Sequence, residues 1–144
     1  MRIAIDFDGT IVLLDKPYDQ VDGEFRFTPG AKETLLRLKA AGHLLLLWSA
    51  RASWHHRVDI RLDPFFAAHP WILEDPNKFY ATNQARFAEM HSFVERELPG
   101  VFTAIDDGSY GKPTVDVFID DRALRLGGSG LTWAEVGELY GDPT

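Results

Sequence analysis

Residues 1–10 read Met-Arg-Ile-Ala-Ile-Asp-Phe-Asp-Gly-Thr. Arg2 to Asp6 is short and rich in β-branched side chains, and Gly9 breaks the run. The pattern predicts a buried strand that empties into an acidic loop. Two carboxylates at the end of a buried strand need a partner to offset their charge. The rest of the chain is therefore read for what else arrives at that edge.

Downstream, residues 13–27 mix charges, aromatics and Gly23, which suggests an irregular excursion with a small hairpin. Thr28-Pro29 has the form of a helix start, a capping residue followed by proline. Ala31, Leu35, Leu38 and Ala41 share one face of that helix, and Gly42 ends it. His43 to Trp48 is nearly all apolar, as expected of a central parallel strand. The stretch 50–83 is predicted to hold short helical pieces. From Gln84 to Leu98 the pattern is helical, with Phe87, Met90, Phe93 and Val94 on the half-buried face, and Pro99-Gly100 stops it. Val101 to Ile105 and Val115 to Ile119 read as two more strands. Thr132-Trp133-Ala134-Glu135 fits a capping box that opens a last helix.

Strands alternating with helices imply a mostly parallel sheet with helices on both faces. The expected fold is a Rossmann-like α/β three-layer sandwich over residues 1–144, a single domain without a large cap. Ligands on such sheets bind beyond the carboxyl ends of the strands. Asp6 and Asp8 follow the first strand, Ser49 the second, Asp106 and Asp107 the third, and Asp120 and Asp121 the fourth. In a parallel sheet these ends share one rim. Gathered carboxylates repel unless a cation sits among them. With oxygen donors only and no cysteine, the set suits Mg²⁺ rather than zinc. A lone Asp after a strand is often a turn residue, the plainer account for Asp106 and Asp107. Ser49 could simply cap a helix, and Lys112 could be a solvated loop lysine.

Asp6-Phe7-Asp8-Gly9-Thr10 resembles the first motif of the haloacid dehalogenase-like hydrolase superfamily. Ser49 after its apolar strand resembles the second, Lys112 in Gly111-Lys112-Pro113 the third, and Val117-Phe118-Ile119-Asp120-Asp121 the fourth. The four occur in the family's order. The resemblance implies a phosphatase in which Asp6 attacks phosphorus to form an aspartyl-phosphate, while Asp8 serves as acid and then base. Family members acting on carbon–halogen bonds lack an acid at the Asp8 position. It also implies that Ser49 and Lys112 bind the phosphoryl group. Mg²⁺ would be held by Asp6, the Asp8 carbonyl and Asp121, with Asp120 acting through water or by orienting its neighbour. Phe7, Gly9, Thr10, Ala50 and Arg51 are the expected substrate contacts.

Only about twenty residues separate Thr10 from the helix start at Pro29, too few for a cap domain, so the site is expected to be open. Residues 50–83 are the candidate local lid, where Trp54, His55, His56 and Arg57 could meet a substrate. Trp54 and Trp71 could equally be core. A large phosphorylated partner, or a neighbouring subunit in a homo-oligomer, could also cover the opening; a small phosphorylated molecule is the expected substrate. Transfer to a second alcohol, pyrophosphate hydrolysis and a non-catalytic receiver-like module are the alternatives. In receivers, however, the acidic pair comes before the phospho-accepting Asp, the reverse of the order here.

The net charge of −7 argues against nucleic-acid binding, which depends on basic contacts to phosphate. The chain has no cysteine for a disulfide. With no signal-peptide pattern and no run of about 18 apolar residues, the expected location is the cytoplasm, with no membrane partner.

Overall fold

In the computed structural model, the residues described are 1–17, 20–21, 24–53, 70–109, 111–123, 125 and 127–141. The elements are β1 (Arg2–Ile5), α1 (Ala31–Ala40), β2 (Leu44–Leu47) and α2 (Ala50–Ser53). They continue with α3 (Trp71–Glu74), α4 (Pro76–Glu97), β3 (Ala104–Ile105), β4 (Val117–Ile119) and α5 (Trp133–Tyr140). The four strands form one sheet in the order β3-β2-β1-β4. Every pairing is parallel, so all the carboxyl ends leave by the same edge. This is the Rossmann-like α/β arrangement without a large cap.

Alternation along the strands decides what each face does. Ile3, Ile5 and Phe7 point to one side, with Leu45 and Leu47 beside them, and all are buried. Leu35 from α1 and Met90, Phe93 and Val94 from α4 complete the same cluster. Thus α1 and α4 cover one face, and among the described residues they supply one of the two expected helical layers. The other face carries Ala4, Leu46, Trp48 and Phe118. Phe118 is 37% exposed, and the Trp48 and Phe118 rings lie 5.1 Å apart. No residue of α5 is buried, and Trp133 is 75% exposed.

The local signals were partly followed. The α5 capping box forms, with the Thr132 hydroxyl accepting from the Glu135 amide and the Glu135 carboxylate accepting from the Thr132 amide. Val12 pairs with Phe27, and the Leu13 amide donates to the Arg26 carbonyl at 2.9 Å, which makes the small hairpin. Thr28, by contrast, does not cap α1. Gly30 in the left-handed region holds that position, while the Thr28 hydroxyl donates to the Thr10 carbonyl at 2.6 Å. The Thr28 hydroxyl serves the first loop, and the helix is capped two residues further on, at Gly30. Helix α4 starts eight residues before the expected Gln84, because Asp75 caps it by accepting from the Lys78 amide and Pro76 occupies its first turn. Of the candidate lid, 54–69 lie outside the described residues, and with them Trp54, His55, His56 and Arg57. Trp71 packs against Phe79 with ring centroids 6.4 Å apart. Among the described residues no helix is long and apolar enough to cross a membrane.

Candidate active site

The site grows from the register of β1 against β4. Ile5 lies opposite Ile119, and the Asp6 amide donates to the Ile119 carbonyl at 3.0 Å. One step further, Asp6 meets Asp120 and Asp121 where the pairing ends. Carboxylate oxygens of these three residues all lie within 4.8 Å of one another. Asp6 is half-buried and the other two are exposed. Burial, together with the charges of Asp120, Asp8 and Asp121, pushes the Asp6 carboxyl up to about 7, against the opposing pull of a hydrogen bond from the Phe7 amide. Three converging oxygens with a proton-holding member are what a hard divalent cation would relieve, and the all-oxygen donor set fits Mg²⁺ or Ca²⁺.

The loop after β1 is shaped to allow that convergence. The Phe7 carbonyl accepts from the amides of Thr10, Ile11 and Val12, which coils the chain tightly. Gly9 sits at φ +77°, and a Cβ there would overlap the Asp121 carboxylate, with Cγ at 2.9 Å. Glycine is therefore required twice, for its backbone angle and for the room it leaves. The Thr10 hydroxyl accepts from the Asp121 amide at 3.1 Å and pins the fourth loop to the first. The Gly9 amide donates to the Val12 carbonyl and the Thr10 amide to the Phe7 carbonyl. From below, the buried Phe7 ring stacks edge-on against Phe25 and Phe93, at 5.0 and 6.0 Å.

Asp8 is not one of the trio, and its carboxylate is held by an arginine. Both of its oxygens accept from Arg51, Oδ2 from Nε and Oδ1 from Nη2, each at 2.7 Å. The Arg51 side chain is only 5% exposed. Its Nη1 donates to Glu89 Oε1 and to the Arg86 carbonyl, each at 2.9 Å. Four of its five N–H groups are thereby committed within the protein. Arg51, an expected substrate contact, is placed as the buried counter-ion of Asp8. Glu89 and Arg86 were not foreseen. They lie three residues apart on α4, a helical spacing, but nothing in that spacing tells that they face Arg51.

Ser49 is buried and its Oγ accepts from the Arg51 amide at 3.2 Å, so it caps α2 and still has its own proton to donate. Ala50 opens α2 on the surface. The Lys112 ammonium lies over the Phe118 ring, 4.9 Å from its centroid, rather than against a carboxylate. Phe118 stands two residues before Asp120, and among the described residues Lys112 makes no ion pair with a carboxylate. Asp106 and Asp107 accept from the amides of Gly108 and Ser109, the turn role of an Asp after a strand.

No family model matches the chain, and no curated protein matches it. Among solved structures, a conserved protein from Bacteroides thetaiotaomicron is similar at 25% identity, over 96% of this chain and 88% of that one, with a TM-score of 0.46.

Proposed function

We propose that the chain is a Mg²⁺-dependent phosphatase of the haloacid dehalogenase type that hydrolyses phosphomonoesters through Asp6. The observation that carries this reading is the meeting of Asp6, Asp120 and Asp121 at the carboxyl edge of a parallel sheet, with Asp8 two residues from Asp6. Mg²⁺ bound by the trio would offset the repulsion between a phosphate dianion and the attacking carboxylate. An oxygen of Asp6 attacks phosphorus, the bond to the leaving oxygen breaks, and a proton from Asp8 passes to that oxygen. Water then attacks the aspartyl-phosphate, gives its proton to Asp8, and phosphate leaves with Asp6 restored. Because both Asp8 oxygens are held by Arg51, one 2.7 Å bond must give way as the leaving oxygen arrives. Ser49 has a proton to offer a phosphoryl oxygen. Lys112 reaches that group by rotating its flexible stem off the Phe118 ring.

The deciding experiment is phosphate release from p-nitrophenyl phosphate or acetyl phosphate with Mg²⁺. Asp6→Asn is expected to abolish it, and retained turnover would remove Asp6 as nucleophile. Asp8→Asn is expected to slow turnover severely and to let aspartyl-phosphate accumulate. Asp121→Ala is expected to weaken Mg²⁺ binding, and unchanged affinity would refute the cation site.

A further inference from the structure

We infer that Glu89 is a positioning residue for the acid step. It acts through Arg51 to aim the Asp8 carboxylate at the leaving oxygen, and it matters most for esters with poor leaving groups. The inference rests on the role given above to Asp8.

Neutralising Asp8 takes a single cation, and Arg51 supplies it through two bonds of 2.7 Å. Glu89 brings a second carboxylate to the same guanidinium, with Oε1 accepting from Nη1 at 2.9 Å. Two carboxylates against one guanidinium leave the set with an excess negative charge, in a place where the Glu89 side chain is 14% exposed. The other Glu89 oxygen, Oε2, is shielded from solvent and has no hydrogen-bond partner among the described residues. A shielded carboxylate oxygen without a donor costs stability. A buried ion pair, moreover, is often no more stabilising than apolar groups of the same size. Packing alone therefore gives no reason for an acid at this position.

The geometry supplies a reason. The guanidinium is a rigid planar fork. Held only at Nε and Nη2, it could swing together with Asp8, which sits on a loop. Its third nitrogen, Nη1, is tied down separately, by Glu89 and by the Arg86 carbonyl, each at 2.9 Å. Both belong to α4, where Asp75 caps the start and Met90, next to Glu89, is fully buried. One end of the fork is thus fixed to a packed helix, and the other end offers Asp8 two donors in set places. When one bond to Asp8 yields to the leaving oxygen, the second still aims the carboxylate. Without Glu89 only the neutral Arg86 carbonyl holds Nη1, a weaker acceptor than a carboxylate. The fork can then follow Asp8, and misplacing a catalytic group weighs heavily on rate.

Two esters test this with the full chain and Mg²⁺. Ethyl phosphate releases a strongly basic alkoxide that needs a proton, whereas p-nitrophenyl phosphate releases a stabilised phenolate that does not. The ratio kcat/KM reports the steps up to departure of the alcohol and leaves out hydrolysis of the aspartyl-phosphate. Glu89→Ala is expected to lower kcat/KM for ethyl phosphate about tenfold, part of what a positioned acid contributes. The same variant should change p-nitrophenyl phosphate by less than about twofold, since no proton transfer is at stake there. Glu89→Gln keeps an acceptor of equal reach without the charge, and should lose only about threefold on ethyl phosphate. If Glu89→Ala does not fold, Glu89→Gln carries the comparison. Equal losses on the two esters, as a merely structural role would produce, or an unchanged rate on ethyl phosphate would overturn the assignment. If neither ester is turned over, the hydrolytic reading fails by itself, and urea unfolding decides the linkage. The midpoint shifts of Asp8→Asn and Glu89→Gln should then fail to add, and should add once Arg51→Met is present in every protein of the cycle. Additive shifts with Arg51 in place would end the proposal.

Discussion

Replacing Arg51 by methionine keeps most of the side-chain volume and removes the guanidinium. Four hydrogen bonds disappear, two to Asp8 at 2.7 Å, one to Glu89 and one to the Arg86 carbonyl at 2.9 Å. Breaking a buried ion pair by deleting one partner costs about 3–5 kcal/mol, mostly because the other charge is left stranded. Here two carboxylates are stranded. They are 22% and 14% exposed, so water reaches them in part and the lower half of that range applies. The guanidinium also lies 5.3 Å from the Phe7 ring centroid and 5.1 Å from that of Phe25, contacts that methionine replaces only with dispersion. We expect a loss of about 3–4 kcal/mol in urea unfolding followed by circular dichroism. With a slope of about 2 kcal/mol/M, the midpoint falls by about 1.5–2 M. Arg51→Lys, a point charge that cannot grip Asp8 with two parallel bonds, should lose roughly half as much. Adding Asp8→Asn and Glu89→Gln to Arg51→Met should recover part of the loss, since no stranded charge remains. A cost below about 1 kcal/mol for Arg51→Met with the slope unchanged would place the pair among weak surface bridges and refute its role as an internal counter-ion.

Three more expectations follow from the site. Asp6 titrates near 7 when folded and near 3.8 when unfolded, so between those values the folded chain holds the extra proton. Its contribution is therefore present below about pH 4 and is lost as pH rises through 7. Melting in EDTA should show this as a fall in Tm from pH 4 to 8 relative to Asp6→Asn, and added Mg²⁺ should raise Tm more at pH 8 than at pH 5. A parallel pH profile for the two proteins would contradict it. Gly9→Ala should cost about 1–2 kcal/mol from its backbone angle alone, and its Cβ should push Asp121 out of the trio. Calorimetric Mg²⁺ affinity at wild-type strength in that variant would show that the trio does not need the opening. Thr10→Val removes the acceptor for the Asp121 amide and should weaken Mg²⁺ binding while leaving the fold within about 1–2 kcal/mol of its stability, as one lost hydrogen bond implies.

Much of this architecture was readable in one dimension because its causes are local. The apolar runs at Arg2–Ile5 and Leu44–Leu47 announce buried parallel strands, and Thr132 with Glu135 announces a helix start. The acidic residues were legible as a group because parallel strands bring their carboxyl ends to one rim whatever lies between them. The start of α4 was also written in the chain, in Asp75-Pro76, but the mixed composition before it hid the signal. What stayed hidden depends on long-range closure. Arg51 and Asp8 are 43 residues apart, and Arg51 and Glu89 are 38 apart, so no spacing rule joins them. Thr28 looks like a cap until the first loop is seen to claim its hydroxyl.

Ala4 lies between Leu46 and Phe118 in the sheet and is 1% exposed. Its small side chain lets the Trp48 indole reach across to Phe118 on the face that leads to Asp6. The protein thus carries a native optical probe beside the edge where Asp6, Asp120 and Asp121 meet. Trp48 is one of four tryptophans, so in a variant that keeps it alone, a molecule that draws Lys112 off Phe118 should register as a change in emission without a dye or a label.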